Sequence, residues 1–536
     1  MFEYKLPFLK KEITVKQLSI FFTVIYILSI VPMLIMGFYD FPSADDFSMA
    51  LQPHQCFVQT GNVFLTIGAA FAKALKIYIE YEGYFFSALL TCLCPGVYGE
   101  QFYVLTPFIV LGMLTFGVCY FFRALFVKVF KADKYLSNAV SMITLIMMIQ
   151  FMKESADRAE AFYWYSGAIN YTFTFGMAFF WLGLLIRCVY DEDEKKRRRM
   201  FVWACIWGFC LGGANYMTAL ELAICSSLLI VMILLSKKNI VKLYNADDRM
   251  TKSFRLLFIP AVINIIGFGF SCFAPGIKFR KAEVTDSYPP LKAVLISLYS
   301  TFNVIIDEMM RWETIVFLLL LVLVFWKMAK NITYRFRHPF VFTVFAYGMI
   351  SSNVTPVYYA TANLDSGRVR ALPWMEFVIL AVLSVFYVTV WARQYLEENK
   401  GLKADNNDSV FSWASSALVA TFLLLFVFGS ALCSATNYHY YSATSCLYEL
   451  VSGNAAGYKA ENKERLALLN DPSTEEVVLK EHAYNPEILI YQDVEEYTEI
   501  PEQLRENPDD DGQPWINGVT AIYYGKKKIN LEKIER

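Results

Sequence analysis

The sequence predicts an all-α polytopic membrane protein followed by a small α/β unit at its C-terminal end. Three observations predict it. The 536-residue chain is 56% hydrophobic and 17% aromatic but only 18% charged, whereas soluble domains run at roughly 45–50% apolar and about 25% charged. The apolar residues come in blocks of about twenty, the length of helix needed to cross a bilayer core about 30 Å thick. Lys and Arg collect on alternate connections between these blocks, as they do on cytoplasmic loops. The net charge of −1 provides no basic field for nucleic acid. The composition excludes a disordered or collagen-like chain and does not fit a large soluble enzyme.

Taken in order, the blocks are residues 17–38, 101–127, 135–152, 168–190, 199–214, 216–236, 254–273, 313–330, 340–360, 371–392 and 411–434. The first follows Lys10, Lys11 and Lys16. It is too long for a signal-peptide core and no small-residue cleavage site follows, so it is expected to remain as a membrane helix. The fifth and sixth meet at Leu211-Gly212-Gly213-Ala214-Asn215, where the alternative is one long kinked helix. Loop charge decides between them. With the N-terminus inside and strict alternation, inside segments hold 27 of the 48 Lys and Arg, outside loops 11 and the tail 10. The run Lys195-Lys196-Arg197-Arg198-Arg199 alone fixes its loop inside. Merging blocks five and six flips every later loop and spoils this pattern. The expectation is therefore eleven spans, N-terminus inside and C-terminus outside.

This divides the chain into a transmembrane domain, 1–434, with long outside loops at 39–100 and 274–312, and an extracytoplasmic domain, 435–536. The first loop holds the amphipathic stretch 64–78, suited to the membrane interface. The tail carries 19 acidic against 10 basic residues. It reads as helix over 443–469 and as strand over 476–480, 487–492 and 519–524. Six of the eleven cysteines fall in membrane blocks, where Cys acts as a small hydrophobe; a Cys433–Cys446 bridge is one option in the outer region. There is no Walker loop, no Gly-x-Gly-x-x-Gly, no Gly-x-Ser-x-Gly and no His-Glu-x-x-His. Nucleotide hydrolysis, dinucleotide redox and zinc chemistry therefore have no local support.

The chemistry-bearing residues gather on the outside face. Asp45 and Asp46 lie within about ten residues of the end of the first span. A carboxylate there can serve as a general base or help hold a divalent ion; the plainer alternative is a turn or helix cap. Arg158 and Glu160 lead into an aromatic run with Tyr163, Trp164, Gly167, Asn170 and Tyr171. Interfacial Trp and Tyr are common, but an amide one turn into a membrane helix needs a partner. Lys278, Arg280 and Lys281 follow the turn Ala274-Pro275-Gly276, and Arg368 and Arg370 precede the tenth block. Arg grips phosphate oxygens in pairs and Lys adds a point charge, though the same residues also suit lipid headgroups. A carboxylate pair, cations and aromatics at one boundary suit a lipid-linked phosphate substrate. Sugar transfer from such a donor needs a base for the acceptor hydroxyl and cations for the departing phosphate, and no nucleotide-binding fold.

These residues resemble a family. Bacterial polytopic membrane proteins of the GT-C glycosyltransferase type carry an acidic motif just after the first helix. One branch, largely of unknown function, combines Asp-Asp there with Tyr-Trp-x-x-Gly-x-x-Asn-Tyr and Ala-Pro-Gly-Asn-x-x-Arg. Here these stand as Asp45-Asp46, Tyr163-Trp164-Tyr165-Ser166-Gly167-Ala168-Ile169-Asn170-Tyr171 and Ala274-Pro275-Gly276-Ile277-Lys278-Phe279-Arg280, in order, over roughly residues 1–390. The stretch 515–525 is similar to that branch's tail. Two departures stand out: Ile277 replaces the usual Asn, and Glu82-Gly83 stands where a Gly-Arg pair is usual. The resemblance implies a GT-C fold and inverting transfer of a sugar from a polyprenyl-phosphate donor to a surface glycan or lipid-linked acceptor. One of the Asp pair would be catalytic, Asp46 by slight preference. Arg158, Arg280 and Lys281 would meet phosphate, Arg368 and Arg370 next, while Tyr163, Trp164 and Asn170 shape the sugar or lipid site. Some such enzymes use a divalent ion, Mg or Mn, and others none; the Asp pair fits either. The tail would bind acceptor or cover the site. The rivals are a transporter of lipid-linked glycan, for which Glu221 in the sixth block is a candidate, and a non-catalytic scaffold.

Overall fold

The computed structural model describes residues 13–244, 246–283, 287–400, 413–501, 503 and 512–534. Helix α1 (Val15–Met36) starts at a capping box in which Thr14 accepts from the Gln17 amide and the Gln17 side chain returns to the Thr14 amide. Helices α2 (Asp45–Thr60), α3 (Val63–Glu80) and α4 (Phe85–Cys92) fill the first long loop. The amphipathic stretch is α3: Ala70, Ala74 and Ile77 are buried while Phe64, Phe71, Leu75 and Ile79 are exposed, a face built for the headgroup boundary.

Helix α5 (Leu105–Phe122) leads to α6 (Lys134–Gln150) and α7 (Ser155–Phe162), which meet at a 116° bend. Then α8 (Tyr165–Ala168), a π-helical turn over Ile169–Phe173 and α9 (Thr174–Tyr190) form one rod. Helices α10 (Glu194–Gly212) and α11 (Tyr216–Lys237) are separate, because the Asn215 side chain caps α11 by accepting from the Thr218 amide at 3.0 Å. Next come α12 (Asp248–Leu256), α13 (Phe258–Cys272), α14 (Ile277–Glu283) and α15 (Pro290–Val304). The membrane part ends with α16 (Trp312–Ala329), α17 (Pro339–Ala360), α18 (Gly367–Lys400) and α19 (Trp413–Thr436).

Among the described residues ten helices are long and apolar enough to cross a membrane, or eleven if the bent α6–α7 pair is one span. The set differs from the expected blocks in two places. The fifth block falls short on composition, because five basic residues occupy the first turns of α10 and only 200–212 is apolar. Conversely, Pro290–Met309, placed in an outside loop by its sequence, is long and apolar enough to cross. Leu291, Leu295, Tyr299, Phe302 and Ile306 form an exposed stripe along it.

Helix ends sort into two faces. On one, Lys128 Nζ and Arg187 Nε donate to the Asp191 carboxylate at 2.6 and 2.9 Å, and Arg249 reaches the Asp191 carbonyl. On the other lie α2, α4, α7, the starts of α9 and α18 and the end of α13. Helix α10 joins the two: Arg197 donates to the Asp191 and Glu192 carbonyls, while beyond its far end the Gly213 carbonyl accepts from the Phe86 and Ser87 amides.

The tail docks on this second face. It comprises α20 (Ser442–Val451), α21 (Asn454–Leu469), β1 (Glu476–Lys480), α22 (Trp515–Tyr523) and β2 (Lys528–Glu532). The strands pair in parallel, Glu476 opposite Lys528 and Lys480 opposite Glu532. Val477, Leu479, Ile529 and Leu531 point into a small core with Leu469, Val494 and Ala521. The expected strand at 476–480 forms. The one at 519–524 is instead largely helix α22, started after Pro514, with Ile516, Asn517, Thr520 and Ala521 on its buried side. The stretch 487–492 is irregular, folded back by bonds from the Leu489 and Ile490 amides to the Pro486 carbonyl. All eleven cysteines are free. Cys446 lies 3.2 Å from the Tyr163 hydroxyl rather than in a bridge with Cys433.

Candidate active site

The Asp pair opens α2, where carboxylates are favoured by the helix dipole. Just before it, Ala44 holds φ 50° and ψ −117°, a region costing a non-glycine residue about 1–3 kcal/mol. That turn sets the start of α2, along which successive side chains point about 100° apart, so the two carboxylates face different ways. Asp46 is 1% exposed and fully occupied. Its Oδ1 accepts from the Ser166 amide and hydroxyl at 2.9 and 2.6 Å, and its Oδ2 from the Ser43 amide and Tyr103 hydroxyl at 3.1 and 2.6 Å. Burial pushes its pKa up to about 6 while those bonds pull it down. This carboxylate knits α2 to α5 and α8. It has no accepting position left for an incoming hydroxyl, which reverses the preference for Asp46 over Asp45.

Asp45 is half-buried. Burial raises its pKa above the usual aspartate range, and the guanidiniums of Arg368 and Arg280 partly restore it. Arg280 comes from α14. Its Nη1 donates to the Tyr81 hydroxyl at 2.9 Å, its guanidinium lies 5.1 Å from the Tyr81 ring, and Glu82 stands 3.8 Å away. The Ala-Pro-Gly turn brings it there. A Cβ on Gly276 would fall 2.7 Å from the Tyr81 amide nitrogen, so only glycine lets this turn pack on the α3–α4 loop. Glu82 is itself pushed up by burial and pulled down by Arg280.

Arg368 opens α18. Its Nη1 donates to Glu160 Oε2 at 2.7 Å and to the Tyr491 hydroxyl at 3.2 Å. Its guanidinium lies 4.9 Å from the Trp164 ring. Glu160 also accepts from the Gly367 and Arg368 amides, so one carboxylate holds both the helix start and the side chain. Trp164 stacks on Tyr491 at 3.8 Å and donates from Nε1 to the Ser43 carbonyl, tying the aromatic run to the Asp45 loop. Gly167 permits this fold-back, since a Cβ there would lie 2.5 Å from a Trp164 ring carbon. Tyr171 follows on the π-helical turn, a device often found at functional sites. Asn170 Oδ1 on the same turn is buried without a hydrogen-bond partner.

The remaining candidates are placed elsewhere. Arg158 is 0% exposed and is spent on backbone carbonyls: Met152, Lys153, His439 and Tyr440. It closes the α6–α7 bend and cannot also grip phosphate. Tyr163 turns inward, its hydroxyl donating to the Met33 carbonyl at 3.0 Å. Arg370 is neutralised by Asp157, with Nε and Nη2 at 2.9 and 2.6 Å from one oxygen. The side chain of Lys281 lies outside the described residues. Three site members carry little signal in the sequence: Glu82 shows only as a departure from a motif, Tyr81 precedes it, and Tyr491 lies in the tail with no local cue.

Pro42, Ser43 and Ala44 also form one wall of a narrow cleft of about 70 Å³, with Tyr458, Arg465, His482 and Tyr524 on the tail side. Among the described residues no group of three or more His, Cys, Asp or Glu is arranged for a metal ion. The donor set beside Asp45 does not suit Mg or Mn: Asp45 and Glu82 are each faced by a guanidinium, which already supplies the compensating charge. The chain matches no known protein family and no curated protein.

Proposed function

We propose that this protein is an integral membrane glycosyltransferase that moves a sugar from a polyprenyl-phosphate donor to a surface glycan or lipid-linked acceptor at the outer face of the cytoplasmic membrane. The reading takes the eleven spans expected from the sequence, with α10 and the bent α6–α7 pair included. Pro290–Met309 is kept as an outer-side helix, since the residues flanking it, Tyr288 and Arg311, bond to Tyr358 and Phe151 on the second face. The N-terminus is then inside and the C-terminal domain outside, consistent with the inside excess of Lys and Arg. The observation that carries it is the convergence of one accessible carboxylate, Asp45, with Arg280 and Arg368 at the ends of apolar helices.

In this reading the donor phosphate lies at headgroup depth against Arg280 and Arg368, with its chain in lipid. Asp45 takes the proton of the acceptor hydroxyl as that oxygen attacks the anomeric carbon. The bond from that carbon to the phosphate oxygen breaks with inversion, and the phosphate leaves with one more negative charge, which the two guanidiniums meet. Asp46 positions the loop. Trp164, Tyr171, Asn170 and Tyr491 line the sugar, and the acceptor enters beside Asp45 from the tail side.

The test is transfer of radiolabelled sugars from polyprenyl phosphates to membrane acceptors by the purified protein. Asp45→Asn should cost about 10²–10⁴-fold in rate, the usual worth of a general base. Asp46→Asn should act mainly through stability. Full activity in Asp45→Asn ends the base assignment. A transporter of lipid-linked glycan is the second reading, favoured by the acidic pair Glu221 and Glu376 inside the bundle. Lipid scrambling in liposomes without transfer from any donor would decide for it.

A further inference from the structure

Helices α1, α5 and α6 border a cavity of about 420 Å³ on the face that carries Asp191, opposite Asp45. Its floor is polar. Ser19, Ser137 and Ser141 line it and are buried, and Asn138 Nδ2 donates to Ser19 Oγ and Thr23 Oγ1 at 2.9 Å each. Among the described residues the Ser19 and Ser137 hydroxyls donate to no acceptor. Its rim is basic. Arg123 and Lys134 line it with their side chains exposed. Tyr135, also on the rim, has Lys134 5.2 Å from its ring and Lys16 at 5.9 Å. Among the described residues none of these three cations makes an ion pair. The neighbouring carboxylate, Asp133, is committed to its own helix, accepting from the Tyr135 amide at 2.6 Å. Arg123 also borders a cavity of about 350 Å³, but the other cations there, Lys128 and Arg187, are spent on Asp191.

The occupant of the first cavity must meet three demands. Hydroxyls and an amide between membrane helices call for polar partners. Unpaired cations where helices leave the bilayer call for an anion, and basic pockets between membrane helices take anionic head groups in this way. The third demand is apolar. Ile20 and Val24 line the cavity, and with Ile27 and Val31 they continue from it as one exposed stripe along α1. From Ile20 to Val31 the stripe runs about 16 Å at 1.5 Å per residue, close to half of a bilayer core about 30 Å thick. A free phosphate would satisfy the rim and leave the stripe bare. An anionic glycerophospholipid satisfies all three, with its phosphate at the rim, its glycerol and ester oxygens on the floor and an acyl chain one leaflet long on the stripe.

We propose that this cavity is a binding site for an anionic glycerophospholipid, held between Arg123 and Lys134 with one acyl chain along α1. The site is independent of the sugar-transfer reading. The test titrates the full chain, in neutral detergent, with phosphatidylglycerol carrying a photoreactive acyl chain, and maps the adducts by peptide mass spectrometry. Labelling should saturate and fall on residues 20–31 of α1. Unlabelled phosphatidylglycerol should compete, and phosphatidylcholine, whose head group has no net charge, only weakly. Arg123→Gln and Lys134→Gln should each weaken labelling about fivefold, the worth of one cation at a membrane surface; both side chains are exposed, so the fold should survive either change. Labelling spread evenly over the lipid-facing helices, or equal competition by phosphatidylcholine, would mean ordinary surrounding lipid and overturn the site. Competition by glycerol 3-phosphate as strong as by the lipid would overturn the lipid assignment in favour of a soluble phosphate. Adducts confined to the start of α18, beside Arg368, would move the lipid to the opposite face and overturn this site as well.

Discussion

Adjacent residues of one type reach opposite chemical fates here because successive side chains of a helix point about 100° apart. With α2 started at Ala44, φ 50°, Asp46 faces Tyr103 and Ser166 while Asp45 lies toward Arg280 and Arg368. A prediction about pH follows from the charges around Asp45. To accept a proton it must be ionised, and its pKa lies above the ordinary aspartate range because burial outweighs the two cations. Transfer should therefore rise with pH along an acidic limb placed above that of an exposed aspartate. Arg280→Gln removes one of the cations holding the pKa down, so it should move that limb to higher pH as well as lower the plateau. A pH series of kcat/KM for wild type and Arg280→Gln measures both. A limb that does not move would detach Arg280 from Asp45.

At the scale of elements, Arg158 shows why a motif read in sequence can be right in place and wrong in role. Its position beside Glu160 and Trp164 suggested phosphate, and it does stand one turn from a site residue. The α6–α7 bend, however, leaves carbonyls that a helix would have used, and a guanidinium with five donors is the side chain able to satisfy several at once. Arg158→Met should leave buried carbonyls unpaired and cost about 3 kcal/mol or more, read as a lower unfolding midpoint in detergent, with KM for the donor unchanged in the molecules that remain folded. A raised KM at unaltered stability would restore the phosphate role. The same reasoning sorts what was legible. Helices apolar on every side declare themselves through composition, whether lipid-facing like α1 or largely buried like α9 and α16. Pro290–Met309 does not, because Ser, Thr and Asn dilute its apolar stripe, and α22 resembles a strand in sequence because Val519, Ala521 and Tyr523 alternate, whereas its buried side includes Ile516, Thr520 and Ala521. Asp45, Arg280 and Arg368 carried local cues of charge at a membrane boundary. Glu82 carried only an absence, and Tyr491 carried none, since its partner Arg368 lies 123 positions earlier.

For the whole molecule the question is whether the tail is a tether or a wall of the site. Its contacts favour a wall. Tyr523 stacks on His54 at 4.1 Å and meets Phe47 of α2 at 5.0 Å, and Tyr458 packs on Phe41 at 6.1 Å. Lys459 Nζ donates to the Phe38 carbonyl and Ser442 Oγ to the Ile149 carbonyl. These anchors hold the irregular segment that presents Tyr491 to both Trp164 and Arg368. A ring stack of this kind is worth about 0.5–1.5 kcal/mol, and a hydrogen bond to a charged group about 1.5–3 kcal/mol. Tyr491→Phe keeps the stack and loses the hydroxyl, so it should lower transfer by about tenfold. Tyr491→Ala loses both and also opens the space over Trp164, so it should fall further, chiefly through a higher KM for the donor. Graded kinetics in that order, with the tail still protected in hydrogen exchange, would place the aromatic pair in the site. Equal and full activity in both variants would make the tail a tether and move the acceptor elsewhere. The order matters more than either value, because simple loss of tail docking would affect neither Phe nor Ala at a residue that the Tyr523, Tyr458 and Ser442 anchors hold independently.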